Sequence, residues 1–207
     1  GLIPASPPAR SVGIELVRSL PIATINTQSL KENASSSALR FIVDTGAGMT
    51  VLDDSLIETL GLKVVGAMEA IGTGGSVTTK RIESVTFDLL REKISVPAIG
   101  TPIGGIGKLM ATRIDGILGY DYFVDRIVRI DYRTKELGHL PLNWEPNLSK
   151  YARLPIDIRG RRPFVRATII LDSGAEVEHS MLLDTGANEP MSLPESLAEE
   201  KEMPMED

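Results

Sequence analysis

The sequence predicts a mainly β protein with one complete lobe and a second, partial lobe. Three observations support this fold class. Short apolar runs rich in Val and Ile alternate with Gly, Pro, Asn and Ser, a pattern typical of β-strands. A strand–motif–helix plan occurs twice along the chain. The 207 residues are 42% hydrophobic and 24% charged, a composition that excludes collagen-like, coiled-coil and wholly disordered classes.

Most predicted elements are strands. Residues 1–12 are rich in Pro and Ser and are expected to form an N-terminal arm. A short helix is expected over residues 53–62, because Leu56, Ile57 and Leu60 share one side and Gly61 follows as a stop signal. The predicted strands are residues 14–17, 22–25, 39–43, 85–89 and 127–130.

An internal repeat defines the expected domains. The motif Asp-Thr-Gly-Ala begins at Asp44 and again at Asp184, 140 positions later, each time after a hairpin with an apolar second strand. We therefore predict a first lobe over residues 13–142, a linker over 143–154 and a partial second lobe over 155–207. The sequence ends 23 residues after Asp184, so we expect a truncated second unit or one completed by something outside this sequence.

Charge and composition exclude several function classes. Of the net charge of −6, −5 lies in residues 195–207, an acidic tail, and the remainder is almost neutral. Arg159, Arg161 and Arg162 form the one dense basic spot, which we interpret as a solvated turn, so a nucleic-acid surface is not expected. The sequence has no Cys, and its two His residues, His139 and His179, are far apart, so no metal site is expected. No apolar run approaches the roughly 18 residues of a membrane span.

The repeated motif is the candidate for chemistry. An apolar strand that runs into Asp-Thr-Gly places a carboxylate at the end of a rigid element, and two copies supply the pair that acid–base chemistry needs. The tripeptide alone is weak evidence, since it also fits a turn, a cap or the phosphate loop of an actin-like ATPase. Two further segments raise its specificity. Residues 68–80 predict two strands joined by a glycine-rich tip, with a further strand over 82–89, and residues 114–123 contain Ile-Leu-Gly and precede a strand over 127–132.

These segments, in this order, resemble the retropepsin-like aspartic proteases, the family of the retroviral proteases and their bacterial relatives. The resemblance covers residues 20–140 well and residues 155–197 in part. It implies an acid protease β-barrel and an aspartic endopeptidase with Asp44 and Asp184 as catalytic residues. It implies supporting roles around them for Thr45, Gly46, Ala47, Thr185, Gly186, Ala187, Ile117, Leu118 and Gly119. The substrate-binding flap would be Ile71, Gly72, Thr73, Gly74, Gly75, Ser76 and Val77, and residues 120–124 would form a short helix.

The implied mechanism needs no cofactor and no metal. Two adjacent aspartates would share one proton, the ionised one activating a water and the protonated one polarising the scissile carbonyl of a polypeptide substrate. Ala47 stands where digestive relatives have a hydroxyl residue, so we expect a working pH that is mildly acidic to neutral rather than strongly acidic. Bacterial relatives with duplicated units are often secreted or periplasmic.

Several alternatives remain at this point. Asp44 could pair with Asp184 in the same chain or with its own copy in a homodimer, and the repeat favours the first arrangement. A non-catalytic peptide-binding or scaffold module with the same fold is the alternative function. No second flap and no second Ile-Leu-Gly segment are present in the sequence. Asp172, in Asp-Ser-Gly, is interpreted as a turn residue, because it lies where the first unit has its hairpin loop.

Overall fold

A computed structural model describes residues 10–32, 35–72, 75–149, 152–170, 174–189 and 191–192. It confirms the mainly β prediction. The first unit contains the following elements: β1 (Arg10–Val17), β2 (Leu20–Thr27), β3 (Ser37–Val43), β4 (Val51–Asp53), α1 (Ser55–Leu60), β5 (Val64–Gly72), β6 (Gly75–Leu89), β7 (Glu92–Thr101), α2 (Gly104–Met110), β8 (Gly116–Leu118), α3 (Tyr120–Phe123), β9 (Ile127–Asp131) and β10 (Glu136–Leu140). The second unit contains β11 (Asp157–Arg159), β12 (Arg162–Ile170) and β13 (Glu176–Leu182).

The strands of the first unit form one mixed sheet, in the order β5-β6-β7-β4-β8-β3-β2-β1-β10-β9. Most neighbours are antiparallel, whereas β3–β8 and β4–β7 are parallel. An additional pairing of β6 with β2 joins Asn26 and Thr27 to Asp88 and Phe87 across the sheet. The sheet is therefore folded back on itself, with β3 near its middle.

The core lies between the folded halves of this sheet. Phe41 of β3 and Phe87 of β6 are fully buried and meet edge to face, with their ring centroids 5.1 Å apart. Tyr122 of α3 is also fully buried, and its hydroxyl is 2.8 Å from Nε2 of His139 in β10. His139 thus contributes a polar contact at the edge of this core. Burial of this apolar surface holds β3, and the residues that follow it, in place.

The second unit begins with the hairpin plan of the first. Strands β11, β12 and β13 form an antiparallel sheet, and Phe164 pairs with Leu182 as Ile22 pairs with Ile42 in β2 and β3. The first hairpin of each unit closes through a two-residue turn in which both residues have positive φ. The turn residues are Arg18 and Ser19 in the first unit and Gly160 and Arg161 in the second. The repeat seen in the sequence is thus a structural repeat over these strands.

The expected short helix is present as α1 and ends where the sequence indicated. Gly61 has φ +69, the left-handed conformation that closes a helix at little cost for glycine, and its N–H donates to the Glu58 carbonyl. The helix expected over 120–124 is present as α3. No helix among the described residues is long and apolar enough to cross a membrane.

The structure differs from the sequence-based expectations in the bounds of two strands and in several additional elements. Strand β1 begins at Arg10, inside the expected arm, because residues 10–13 pair with residues 136–139 of β10. The two strands expected over 75–80 and 82–89 form the single strand β6, with a register shift between Ile82 and Val85. Helix α2 and strands β4, β7 and β10 were not expected.

Some expectations lie outside the described residues. They concern residues 1–9 of the arm, the flap-tip residues Thr73 and Gly74, the Asp172 turn, and the acidic tail beyond Ser192.

Candidate active site

Asp44 lies at the end of β3, the strand that runs through the middle of the sheet. Its N–H donates to the Leu118 carbonyl of neighbouring β8 at 3.0 Å, which extends the parallel pairing by one residue. Its Oδ1 accepts the N–H groups of Gly46 at 2.8 Å and Ala47 at 3.0 Å. The chain therefore turns tightly beneath the carboxyl group, and three backbone hydrogen bonds fix the position of this residue.

Asp184 lies in a similar turn at the end of the second hairpin. It follows β13 by two residues, and its Oδ1 accepts the N–H of Gly186 at 2.7 Å. Its carboxyl group is hydrogen-bonded to that of Asp44. The structure thus brings together, within one chain, the two aspartates that the sequence singled out. Ala187 follows this turn and is exposed.

The two threonines of the motifs exchange hydrogen bonds across the junction. The Thr45 N–H donates to Oγ1 of Thr185, and the Thr185 N–H donates to Oγ1 of Thr45, both at 3.1 Å. The Thr45 hydroxyl donates to the Leu183 carbonyl at 2.6 Å, and the Thr185 hydroxyl donates to the Val43 carbonyl at 2.7 Å. These four reciprocal bonds hold the two motifs together directly below the carboxyl pair.

Glycine is required after each threonine because the opposite carboxyl group occupies the space of a side chain. A Cβ on Gly46 would lie 2.5 Å from Oδ2 and 2.7 Å from Oδ1 of Asp184, well inside contact distance. A Cβ on Gly186 would meet the Asp44 carboxyl in the same way, 2.6 Å from its Oδ1. The two glycines therefore allow the carboxyl groups to approach each other.

The Ile-Leu-Gly segment packs against the loop that follows Asp44. Ile117 and Leu118 belong to β8 and pair with Ile42 and Val43 of β3. Gly119 follows, and a Cβ there would lie 2.8 Å from the Ala47 carbonyl oxygen, so only glycine fits against this loop.

Hydrogen bonds also connect Gly119 and the residues after it to the loop that follows Asp44. The Gly119 N–H donates to the buried Thr50 hydroxyl at 3.3 Å, and the Tyr120 N–H donates to the Ala47 carbonyl at 2.9 Å. The Thr50 N–H donates to Oδ2 of Asp121, a buried carboxylate in α3. Gly119 and helix α3 together thus hold the loop from Ala47 to Thr50 in place through three hydrogen bonds.

The surroundings of Asp44 favour the protonated form of its carboxyl group. Burial raises the pKa of Asp44 above its ordinary value of 3.8, and the neighbouring Asp184 carboxyl raises it further, to about 7. The backbone N–H groups of Gly46 and Ala47 act in the opposite direction, because they stabilise the ionised form. Desolvation and the like charge outweigh these donors, so Asp44 holds its proton over most of the acidic range.

The expected flap is a hairpin formed by β5 and β6. Its backbone pairing runs from Val64 opposite Ile82 to Gly72 opposite Gly75, with a bulge near Val64. Glu69 accepts hydrogen bonds from Ser76 and Thr78, which link the two strands below the tip and lower the pKa of this exposed carboxyl. Val77 is exposed.

Sequence reasoning missed one connection to this site. Arg161, expected in a solvated turn, does lie in a two-residue turn, but its guanidinium contacts Asp121 of α3 rather than solvent alone. Neither residue has a local sequence signal for this contact, because they are 40 positions apart. Among the residues that the structure describes, no group of three or more His, Cys, Asp and Glu side chains could hold a metal ion.

Comparison with known families agrees with the geometry over the first unit. Residues 30–122 match the model of an aspartyl protease family of the retropepsin-like clan, which confirms the resemblance for this part of the chain. The matched region includes Asp44, the β5–β6 hairpin and the Ile-Leu-Gly segment, and it ends before the linker and Asp184. A search of the curated proteins gave no significant match.

Proposed function

We propose that this chain is an aspartic endopeptidase whose catalytic pair is Asp44 and Asp184 of the same molecule. The observation that carries the proposal is the contact between the two carboxyl groups, each fixed by its own backbone turn. The aspartyl protease family match supports the general activity over residues 30–122. Asp184 lies outside that match, so its role depends on the geometry alone.

The chemistry follows from the shared proton. The ionised member of the pair accepts a proton from a water molecule as the water oxygen attacks the carbonyl carbon of the scissile amide. The protonated member donates a hydrogen bond, and then its proton, to the carbonyl oxygen, which gives a tetrahedral diol. When the diol collapses, one of its hydroxyl groups gives its proton to the ionised member as the carbon–oxygen double bond re-forms. The carbon–nitrogen bond breaks, and the nitrogen leaves as an amine that takes the proton of the protonated member. The products are a carboxylic acid and an amine, and the pair returns to its singly protonated state.

The proposed substrate is an extended polypeptide. The β5–β6 hairpin offers backbone donors and acceptors near its end, and strand-like pairing with such a hairpin recognises main chain irrespective of sequence. Closure of a hairpin over the substrate also excludes water from the carboxyl pair, which strengthens the electrostatic interactions there. Ile71, Gly72, Thr73, Gly74, Gly75, Ser76 and Val77 are the proposed flap residues.

The raised pKa of Asp44 supports a mildly acidic to neutral working range. A pair with one group titrating at about 7 keeps its single proton up to near neutral pH, and activity declines as that proton is lost. Ala47 contributes an N–H but no hydroxyl to the ionised carboxylate, consistent with this range. A rate maximum below about pH 3 would refute this part of the proposal.

The test is cleavage of a peptide library between pH 3 and 8 by the wild-type chain, Asp44→Asn and Asp184→Asn. We expect cleavage by the wild type and at least a 1,000-fold loss in each variant, since either substitution removes one half of the acid–base pair. Retained activity in Asp184→Asn alone would instead indicate a homodimer that uses two copies of Asp44. Tight peptide binding that is unaffected by either substitution, without cleavage, would identify a binding module.

A further inference from the structure

The turn of the second-unit hairpin packs against the loop that carries Asp44. Gly160 and Arg161 form this turn between β11 and β12, with φ values of +54° and +65°. A Cβ built on Gly48 would lie 3.4 Å from the Gly160 carbonyl oxygen and 3.9 Å from the Arg161 Cβ. The two units therefore meet at a second place, apart from the threonine exchange.

The side chain of Arg161 crosses this junction to a buried acid. Its Nη2 donates to Oδ1 of Asp121, and its guanidinium carbon lies 5.1 Å from the centroid of the Tyr120 ring. The Asp121 side chain is only 4% exposed, whereas that of Arg161 is 43% exposed. Loss of the cation would leave the Asp121 carboxylate buried and unpaired, which is strongly destabilising, whereas the half-exposed Arg161 guanidinium could be solvated by water. The ion pair therefore stabilises the first lobe, which contains Asp121, more than the hairpin that contains Arg161.

Asp121 also connects this contact to the catalytic loop. Its second oxygen accepts the Thr50 N–H at 3.0 Å, and the preceding residue, Tyr120, donates its N–H to the Ala47 carbonyl at 2.9 Å. Arg161 thus binds the two α3 residues that hold the loop after Asp44.

The first unit has its turn arginine one residue earlier than the second, because Arg18 stands where the second unit has Gly160. Leu20 pairs with Val17 across the first turn as Arg162 pairs with Arg159 across the second. Ser19, with φ +68°, therefore occupies the place of Arg161. If the first lobe of a second molecule docked on Asp121, it would present an uncharged serine at this position.

We propose that Arg161 is a positioning residue that selects which unit docks on the first lobe. Its ion pair with Asp121 favours the second unit of the same chain, which places Asp184 against Asp44, and disfavours a symmetric pair of first lobes. The selection acts through a penalty on the wrong partner, because Ser19 would then stand at the position from which Arg161 supplies the cation to Asp121. This inference rests on the intramolecular pair of the proposed function, but its test does not depend on peptidase activity.

Amide hydrogen exchange at Thr185 reports docking directly, because its N–H is bonded to Thr45 of the other unit. In Arg161→Ser, which installs the first-unit residue, we expect exchange at Thr185 at least tenfold faster than in the wild type. Arg161→Lys should recover part of the protection. The double variant Arg161→Ser/Asp121→Asn should also exchange more slowly at Thr185 than Arg161→Ser alone, because it leaves no buried carboxylate without a cation.

Arg159→Ser is the matched control. Arg159 is an arginine of the same hairpin, but it bonds Asp157 and Ser180 within the second unit, so Thr185 exchange should stay within about twofold of wild type. Equal acceleration in Arg159→Ser and Arg161→Ser, or none in Arg161→Ser, would overturn the inference. Because no substrate is used, an inactive chain with the expected exchange pattern would refute the proposed peptidase and leave this inference standing.

Moving the cation tests selection itself. In Ser19→Arg combined with Arg161→Ser, the first unit carries the arginine at its turn and the second unit carries serine. We expect sedimentation to show concentration-dependent dimers of this variant under conditions in which the wild-type chain is monomeric. A monomeric double variant would contradict the selective role of Arg161.

Discussion

A methyl group at Gly46 would act directly on the geometry of the carboxyl pair. The new Cβ of Gly46→Ala would lie 2.5 Å from Oδ2 of Asp184, whereas real Cβ atoms almost never approach a neighbour within 3.0 Å. The Asp184 carboxyl must therefore retreat by at least about 0.5 Å, or the two loops must separate. Overpacking of this kind destabilises by about 1–3 kcal/mol. A misplacement of about 1 Å at a reacting group reduces rates by about 100-fold.

We accordingly expect Gly46→Ala to lose at least tenfold in kcat/KM and to unfold at lower urea concentration. Gly105→Ala is the matched control, because a Cβ at that helical position meets nothing within 4 Å and alanine favours the helix. Peptide cleavage and urea denaturation of the two variants, measured side by side, provide the comparison. Wild-type activity in Gly46→Ala would show that the carboxyl groups are not as close as described, and would refute the reasoning.

Two further predictions concern the threonine exchange between the two motifs and the protonation of Asp44. Thr45→Val removes the hydroxyl that donates to Leu183 and accepts from Thr185. Urea denaturation should show that the free energy of unfolding falls by about 1–3 kcal/mol, against less than about 0.5 kcal/mol for the exposed control Thr59→Val. Equal losses in the two variants would contradict the stabilising role of the threonine exchange. Because the folded-state pKa of Asp44 lies above its ordinary value, the stability contributed by its proton is fully present below about pH 4 and is lost as pH rises through about 7. Urea denaturation from pH 4 to 8 should show this decline in the wild type and a flatter profile in Asp44→Asn, and parallel profiles would count against the shifted pKa.

The features that could be predicted from the sequence are those that depend on a local residue pattern or on repetition along the chain. Apolar runs predicted β3 and β6. The repeated motif favoured Asp184 over a second copy of Asp44 as the partner of Asp44, because both aspartates follow an apolar hairpin strand. Strand β7 did have an alternating signal, with Ile94, Val96 and Ala98 buried, but Pro97 lies among them and argues against a strand interior.

Other features depend on contacts between distant parts of the chain. Helix α2 contains three glycines, which are poor helix formers, and the packing of its buried Met110 with other apolar residues is what stabilises it. The early start of β1 at Arg10 depends on pairing with β10, more than a hundred residues away. The Arg161–Asp121 contact likewise has no local signature, since a turn arginine and a helix aspartate are each ordinary on their own.

The central claim is that one chain holds one complete aspartate pair. The most direct measurement is titration of the wild-type chain with a peptide whose scissile amide is replaced by a hydroxyethylene group, which mimics the tetrahedral intermediate. We expect calorimetry to give one bound peptide per chain, and binding at least 100-fold weaker in both Asp44→Asn and Asp184→Asn. One peptide per two chains, with binding unaffected by Asp184→Asn, would contradict the claim and identify a homodimer built on Asp44.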